Sequence, residues 1–116
     1  MTYIRLPRNL SIINRALLGY GYELENIETD FQSITEIKQN AFEHVGINVD
    51  KNPIKAEFPN IETIGDNAFW YSAYFSHLVL GHNLTSIGSS AFLNSTVTSL
   101  TLYAETPPTV ASSETL

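Results

Sequence analysis

The sequence predicts an α/β repeat solenoid of about four coils, predominantly short parallel β-strands joined by tight bends or short helical turns. Three observations predict it. A nine-residue pattern recurs at nearly regular spacing, a shorter alternating pattern precedes it, and the composition can fill a core while leaving an uncharged surface. Hydrophobic residues make up 43% of the 116 residues and charged residues only 16%, the opposite of the balance that keeps a chain disordered. The length is that of one ordinary domain, so residues 1–116 are read as a single unit.

The repeats fall near residues 3–24, 25–53, 54–74 and 75–96, with a terminal strand over 97–108. The first opens on Ile4-Arg5-Leu6-Pro7-Arg8-Asn9-Leu10, which parallels Leu78-Val79-Leu80-Gly81-His82-Asn83-Leu84. It continues into Leu10-Ser11-Ile12-Ile13-Asn14-Arg15-Ala16-Leu17, a faint copy of the nine-residue pattern. The second holds a full copy, Ile34 to Ala41-Phe42, and then an insertion over 43–53. The third pairs Ala56-Glu57-Phe58-Pro59-Asn60-Ile61 with a copy from Ile61 to Ala68-Phe69. The fourth carries Leu84 to Ala91-Phe92, and Val97-Thr98-Ser99-Leu100-Thr101-Leu102 supplies the last strand. The alternating segments are bounded by Pro, Gly or Asn and are too short for helices, so they read as strands.

One such coil cannot enclose a core, but stacked coils bury continuous columns of side chains. Ile13, Ile37, Ile64 and Ile87 form one expected interior column. Leu17, Phe42, Phe69 and Phe92 form another, with Ala41, Ala68 and Ala91 small enough to keep the bend tight. Gly65 and Gly88 mark a position that needs positive φ or close approach of another backbone. Lys38 in the same place shows that glycine is preferred there without being obligatory.

These residues together give the pattern L-x-x-I-x-L-P-x-x-L-x-x-I-G-x-x-A-F, which resembles the BspA-type leucine-rich repeat over roughly residues 3–108. The ending Thr106-Pro107-Pro108 also resembles the segment that closes such arrays. Two departures stand out: the small residue common after Ala-Phe is missing, and the insertion at 43–53 interrupts the spacing. The resemblance implies a right-handed leucine-rich-repeat solenoid with a parallel sheet on one side. It also implies the company of bacterial and protozoan surface proteins and some phage-associated ones, where the family is associated with adhesion. It carries no catalytic motif.

Charge and composition exclude several functions. Twelve acidic against six basic residues give a formal charge of -6, and every basic residue lies before residue 56, which argues against a nucleic-acid binder. The chain has no cysteine, so disulfides, thiolate metal sites and cysteine nucleophiles are excluded. No apolar run reaches the roughly 18 residues that span a bilayer, so membrane insertion is not expected. Residues Met1 to Pro7 lack the basic and apolar segments of a secretory signal. The expected location is the cell surface or secretion as part of a longer chain, with a cytoplasmic or virion-associated protein as the alternative. The strand pattern begins at Tyr3-Ile4 without a polar cap, so either further repeats precede it or its end pairs with another chain.

Candidate sites are few. His44, His77 and His82 lack metal-ligand spacing and read as surface or turn histidines, so no metal or cofactor is expected. Gly88-Ser89-Ser90-Ala91 lacks the closing glycine of a nucleophile elbow, and Glu23, Glu25, Glu28 and Asp30 read as a solvated acidic face. Asn48-Val49-Asp50-Lys51-Asn52 lacks the later residues of a calcium loop. Asn9, Asn83 and Asn94 begin glycosylation sequons that the repeat itself generates. The stretch Phe69-Trp70-Tyr71-Ser72-Ala73-Tyr74-Phe75 stands apart. Phe69 and Phe75 fit core positions, whereas Trp70, Tyr71 and Tyr74 fall where the repeat asks for nothing aromatic, and Tyr20 and Tyr22 occupy the matching loop two coils earlier. These five aromatics are the expected partner-binding residues, because Tyr and Trp bury much area with little entropy lost. The sheet face offers Arg5, Val79 and Thr101 at outward positions. The expected function is a non-enzymatic recognition or adhesion module for a protein or glycan. The alternative is a structural assembly subunit of a phage or cell surface, stacking through the solenoid ends.

Overall fold

A computed structural model describes residues 3–18, 21–29, 31–50 and 52–111. They form a β-solenoid of about five turns, four full coils and the terminal strand region. One side carries β1 (Tyr3–Arg5), β3 (Asn26–Glu28), β5 (Ile54–Phe58), β7 (Phe75–Leu80) and β9 (Ser99–Leu102). A second side carries the two-residue strands β2 (Ile12–Ile13), β4 (Glu36–Ile37), β6 (Thr63–Ile64), β8 (Ser86–Ile87) and β10 (Thr109–Val110). Every pairing among these strands is parallel. The helical share of the described residues is one turn, α1 (Arg15–Leu18).

The second sheet runs unbroken in the order β2, β4, β6, β8, β10. Its register sets Ile13, Ile37, Ile64 and Ile87 side by side, all buried, as the spacing predicts. The phenylalanine column forms as well. The rings of Phe42 and Phe69 stack at 5.0 Å, and those of Phe69 and Phe92 stack at 5.0 Å on the other side. Phe31, Phe58 and Phe75 fill the centre against them. Leu17 is only half-buried at the foot of the column, because α1 replaces the bend of the first coil and turns Leu18 inward instead.

The third side is a bend repeated in coils two, three and four. Ala41, Glu43 and Val45 each donate an amide to a carbonyl three residues back, while Asn40, Phe42 and His44 donate to Asp66, Ala68 and Trp70 of the next coil. Asn67, Phe69 and Tyr71 repeat the second set toward Ser89, Ala91 and Leu93. Alternate amides therefore close the local turn and bond the neighbouring coil. This geometry places Asn40, Asn67 and Ser90 in the left-handed region, and likewise His44, Tyr71 and Asn94, with φ between 55 and 61°. Asn tolerates that conformation best, since its short polar side chain bonds locally. At His44 and Tyr71 the inter-coil bonds to Trp70 and Leu93 offset the strain.

Gly65 and Gly88 meet the close-approach half of their expectation. A Cβ on Gly65 would lie 2.6 Å from the Gln39 amide nitrogen, and one on Gly88 would lie 2.4 Å from that of Asp66. Lys38 follows a coil that enters α1 at Arg15 in place of the bend.

The long side is interrupted. β1 pairs only with β3, and β5, β7 and β9 form a separate sheet. The insertion is the cause. The chain after Val45 reaches back to the first coil, where Gly46 and Asn48 donate amides to the carbonyls of Gly21 and Tyr22 at 2.8 and 2.9 Å. Phe31 enters the core from a left-handed backbone (φ 57°), its amide held by Thr29 Oγ1. The Ile27 amide, with no strand on the β5 side of β3, donates instead to the Tyr74 hydroxyl at 2.9 Å.

Candidate functional site

The bend face gathers the aromatics that the repeat does not require. His44 and Tyr71 hold equivalent places, two residues past the stacked phenylalanines, and share the left-handed backbone that turns their side chains along the same side. Their rings stack at 5.4 Å and 9° across adjacent coils. Trp70 meets His44 edge-on at 5.2 Å and Tyr71 at 5.0 Å. Tyr22, brought in by the Asn48–Tyr22 backbone bond, closes the group with its ring 5.5 Å from His44 at 89°. Edge-to-face and offset contacts of this kind stabilise rings beyond their area burial, so the cluster is preorganised. Tyr22 and Tyr71 remain 39% and 42% exposed, and Trp70 is half-buried.

Beneath the cluster lies Glu43, only 7% exposed. Its carboxylate accepts a 2.7 Å bond from Asn40 Nδ2, lies 3.3 Å from His44 Nδ1, and is approached by Arg15 Nη2 at 3.9 Å. A buried carboxylate needs such partners to be tolerated. They place the carboxylate directly under the ring that the other three aromatics pack around.

The five aromatics expected at the binding surface are thus divided. Tyr22, Trp70 and Tyr71 come together around His44. Tyr74 does not join them: it is 5% exposed, packs edge-on against Phe75 at 4.9 Å, and its hydroxyl oxygen accepts the Ile27 amide. Tyr20 lies outside the described residues. Sequence reasoning assigned His44 to an ordinary turn, although its alignment with Tyr71 was the signal that placed it at the centre.

Elsewhere the polar groups are spent on structure. His77 bonds Ser99 Oγ through Nδ1 at 2.7 Å and Thr101 Oγ1 through Nε2 at 2.8 Å. His82 sits against the Tyr103 ring, and Arg5 pairs with Glu28 at 3.2 Å. Val79 is half-buried between Glu57 and Thr101 on the sheet face. Ser90 lies inside a bend, and Glu23, Glu25 and Glu28 are exposed. Among the described residues, no three His, Asp or Glu side chains gather as a cation-binding set. The arrangement offers stacking surfaces.

A family model described as a BspA type leucine rich repeat region matches residues 1–107 in six copies. No curated protein and no solved structure matches the chain.

Proposed function

We propose a recognition role from one premise: the chain belongs to the BspA-type leucine-rich repeat family. Its solenoid is a repeat scaffold of a non-enzymatic kind. No helix among the described residues is long and apolar enough to cross a membrane. On our reading the protein is an adhesion or recognition module that binds a protein or a glycan, displayed at a cell surface or secreted as part of a longer chain. The supporting observation is the preorganised Tyr22–His44–Trp70–Tyr71 cluster, exposed where the repeat needs no aromatic residue. Rigid Tyr and Trp side chains contribute most at the centre of an interface. The acidic second half, without a basic residue, makes nucleic acid and other anionic polymers poor partners.

The test is a binding screen of the whole chain against matrix proteins, glycans and DNA, repeated with variants. Trp70→Ala is expected to weaken the partner by about 2 kcal/mol or more, the usual hot-spot threshold, without unfolding the chain. Unchanged affinity after joint replacement of Tyr22, Trp70 and Tyr71 by alanine would discard the bend face. Salt-sensitive DNA binding would overturn the charge argument.

A further inference from the structure

The ring column of the bend face stops one coil short of the phenylalanine column beneath it. His44 and Tyr71 hold the second place after Phe42 and Phe69, and their rings stack at 5.4 Å and 9°. In coil four that place, after Phe92, belongs to Asn94. Its backbone makes the same left-handed turn, φ 57° against 55° at Tyr71, so an exposed amide starts where a third ring would start. The Tyr71 amide donates to the Leu93 carbonyl at 3.1 Å and holds the two coils in this register. Among the described residues, His44 stacks on the Tyr71 ring, Trp70 meets it edge-on, and no further ring contacts it. A stacking place is left over Asn94, beside the exposed Leu93, which holds the place of Trp70 in that coil.

The groups around this place are polar and uncharged. Among the described residues, the Tyr71 hydroxyl, the Trp70 indole N–H and the Asn94 side-chain amide make no hydrogen bond. Residues 67–104 contain no Asp, Glu, Lys or Arg, so nothing there pairs with a charged ligand. Glu43, under the cluster, is buried and already held by Asn40 and Arg15. The site is also small. Tyr22 and Tyr71, 39% and 42% exposed, and the half-buried Trp70 together present at most about 300 Å² of ring surface. A standard protein interface takes roughly 800 Å² from each partner, whereas a sugar needs one ring face.

We propose that this place binds one residue of a neutral glycan, stacked on Tyr71 and hydrogen-bonded by Asn94. The inference rests on recognition through the bend face and narrows its ligand to an uncharged sugar. The C–H hydrogens on one face of a pyranose are slightly positive and lie well on the negative face of an aromatic ring. The hydroxyls at its rim then meet the Asn94 amide, which both donates and accepts, with the Tyr71 hydroxyl and the Trp70 N–H beside it. Nucleotides also stack on rings, but their phosphates would meet an acidic chain with no basic residue after Lys55. The bound sugar completes the column that His44 and Tyr71 begin.

Trp70 is the one tryptophan of the chain, so its fluorescence reports on the site directly. The test titrates the whole chain with cellohexaose, chitohexaose, mannohexaose and maltohexaose, and with a heparin hexasaccharide as the charged control. At least one neutral hexasaccharide is expected to shift the Trp70 emission saturably, with a Kd of about 10 µM to 1 mM that added salt leaves unchanged. Tyr71→Ala and Asn94→Gly, checked for folding by circular dichroism, are each expected to weaken it at least about tenfold. Glycine keeps the left-handed backbone, so Asn94→Gly tests the amide even where Tyr71→Ala fails to fold. Glu57→Gln, exposed on β5, should bind as the parent chain does. The proposal is overturned if no neutral hexasaccharide binds, if heparin binds better, or if a folded Tyr71→Ala or Asn94→Gly binds like the parent. A protein partner that is lost in Trp70→Ala while no saccharide binds overturns the sugar and keeps the bend face.

Discussion

Ile64→Asp is expected to leave the chain unfolded in the absence of denaturant. Ile64 is 2% exposed and lies in register between Ile37 and Ile87, with neighbours on both sides that are equally apolar. An aspartate there has no cation or donor within a column of aliphatic groups. Stranding a buried polar group costs several kcal/mol and an unpaired charge far more, against a total stability of about 5–15 kcal/mol for a domain. Circular dichroism should show the loss of strand signal. Glu62, two residues earlier and exposed, is the matched control, and Glu62→Ala should change the unfolding free energy in a denaturant melt by less than about 0.5 kcal/mol. Equal damage from the two variants would reverse the assignment of inward and outward positions.

Phe69→Ala has the next largest expected effect, about 3–5 kcal/mol in a urea melt. Phe69 is fully buried, and its ring is sandwiched between Phe42 and Phe92 with Phe75 edge-on at 5.6 Å. Its backbone bonds Ala91, so the position is held from the next coil and collapses little around the void. Phe92 has a stacked ring on one side only and is slightly exposed, so Phe92→Ala should cost less. A smaller loss at Phe69 than at Phe92 would mean that the column is not continuous.

The columns were legible because a solenoid writes the same constraint at each coil: a residue that must point inward recurs at the repeat spacing. Ile13, Ile37, Ile64 and Ile87 needed only alignment. Tyr74 was not legible in this way. Its neighbours Ser72 and Ala73 read as loop, and its actual role, accepting the amide of Ile27, depends on a gap in the sheet 47 residues away. His44 holds the same place after Ala-Phe as Tyr71, but a lone histidine there reads as a turn residue, whereas Tyr71 stands within an aromatic stretch. The left-handed positions were misread for a different reason. Glycine is the usual residue for such a backbone, so Gly65 and Gly88 drew the expectation, whereas the bend puts Asn40, Asn67 and Ser90 there and uses the two glycines for clearance.

The interruption between β3 and β5 bears on how the array comes apart. In a solenoid, cooperativity resides in the junctions between neighbouring units, and a uniform array frays inward from its termini. Here one internal junction is weaker than the rest. It keeps the β4–β6 pairing and the bonds of the bend, but on the long side a tyrosine hydroxyl stands in for the whole strand ladder. Coils one and two should therefore exchange their amide hydrogens as one block, ahead of the β5–β7–β9 block, with the boundary between Glu28 and Ile54. The chain would then melt along a fixed seam, with the half that carries no basic residue retaining its fold after the other has opened.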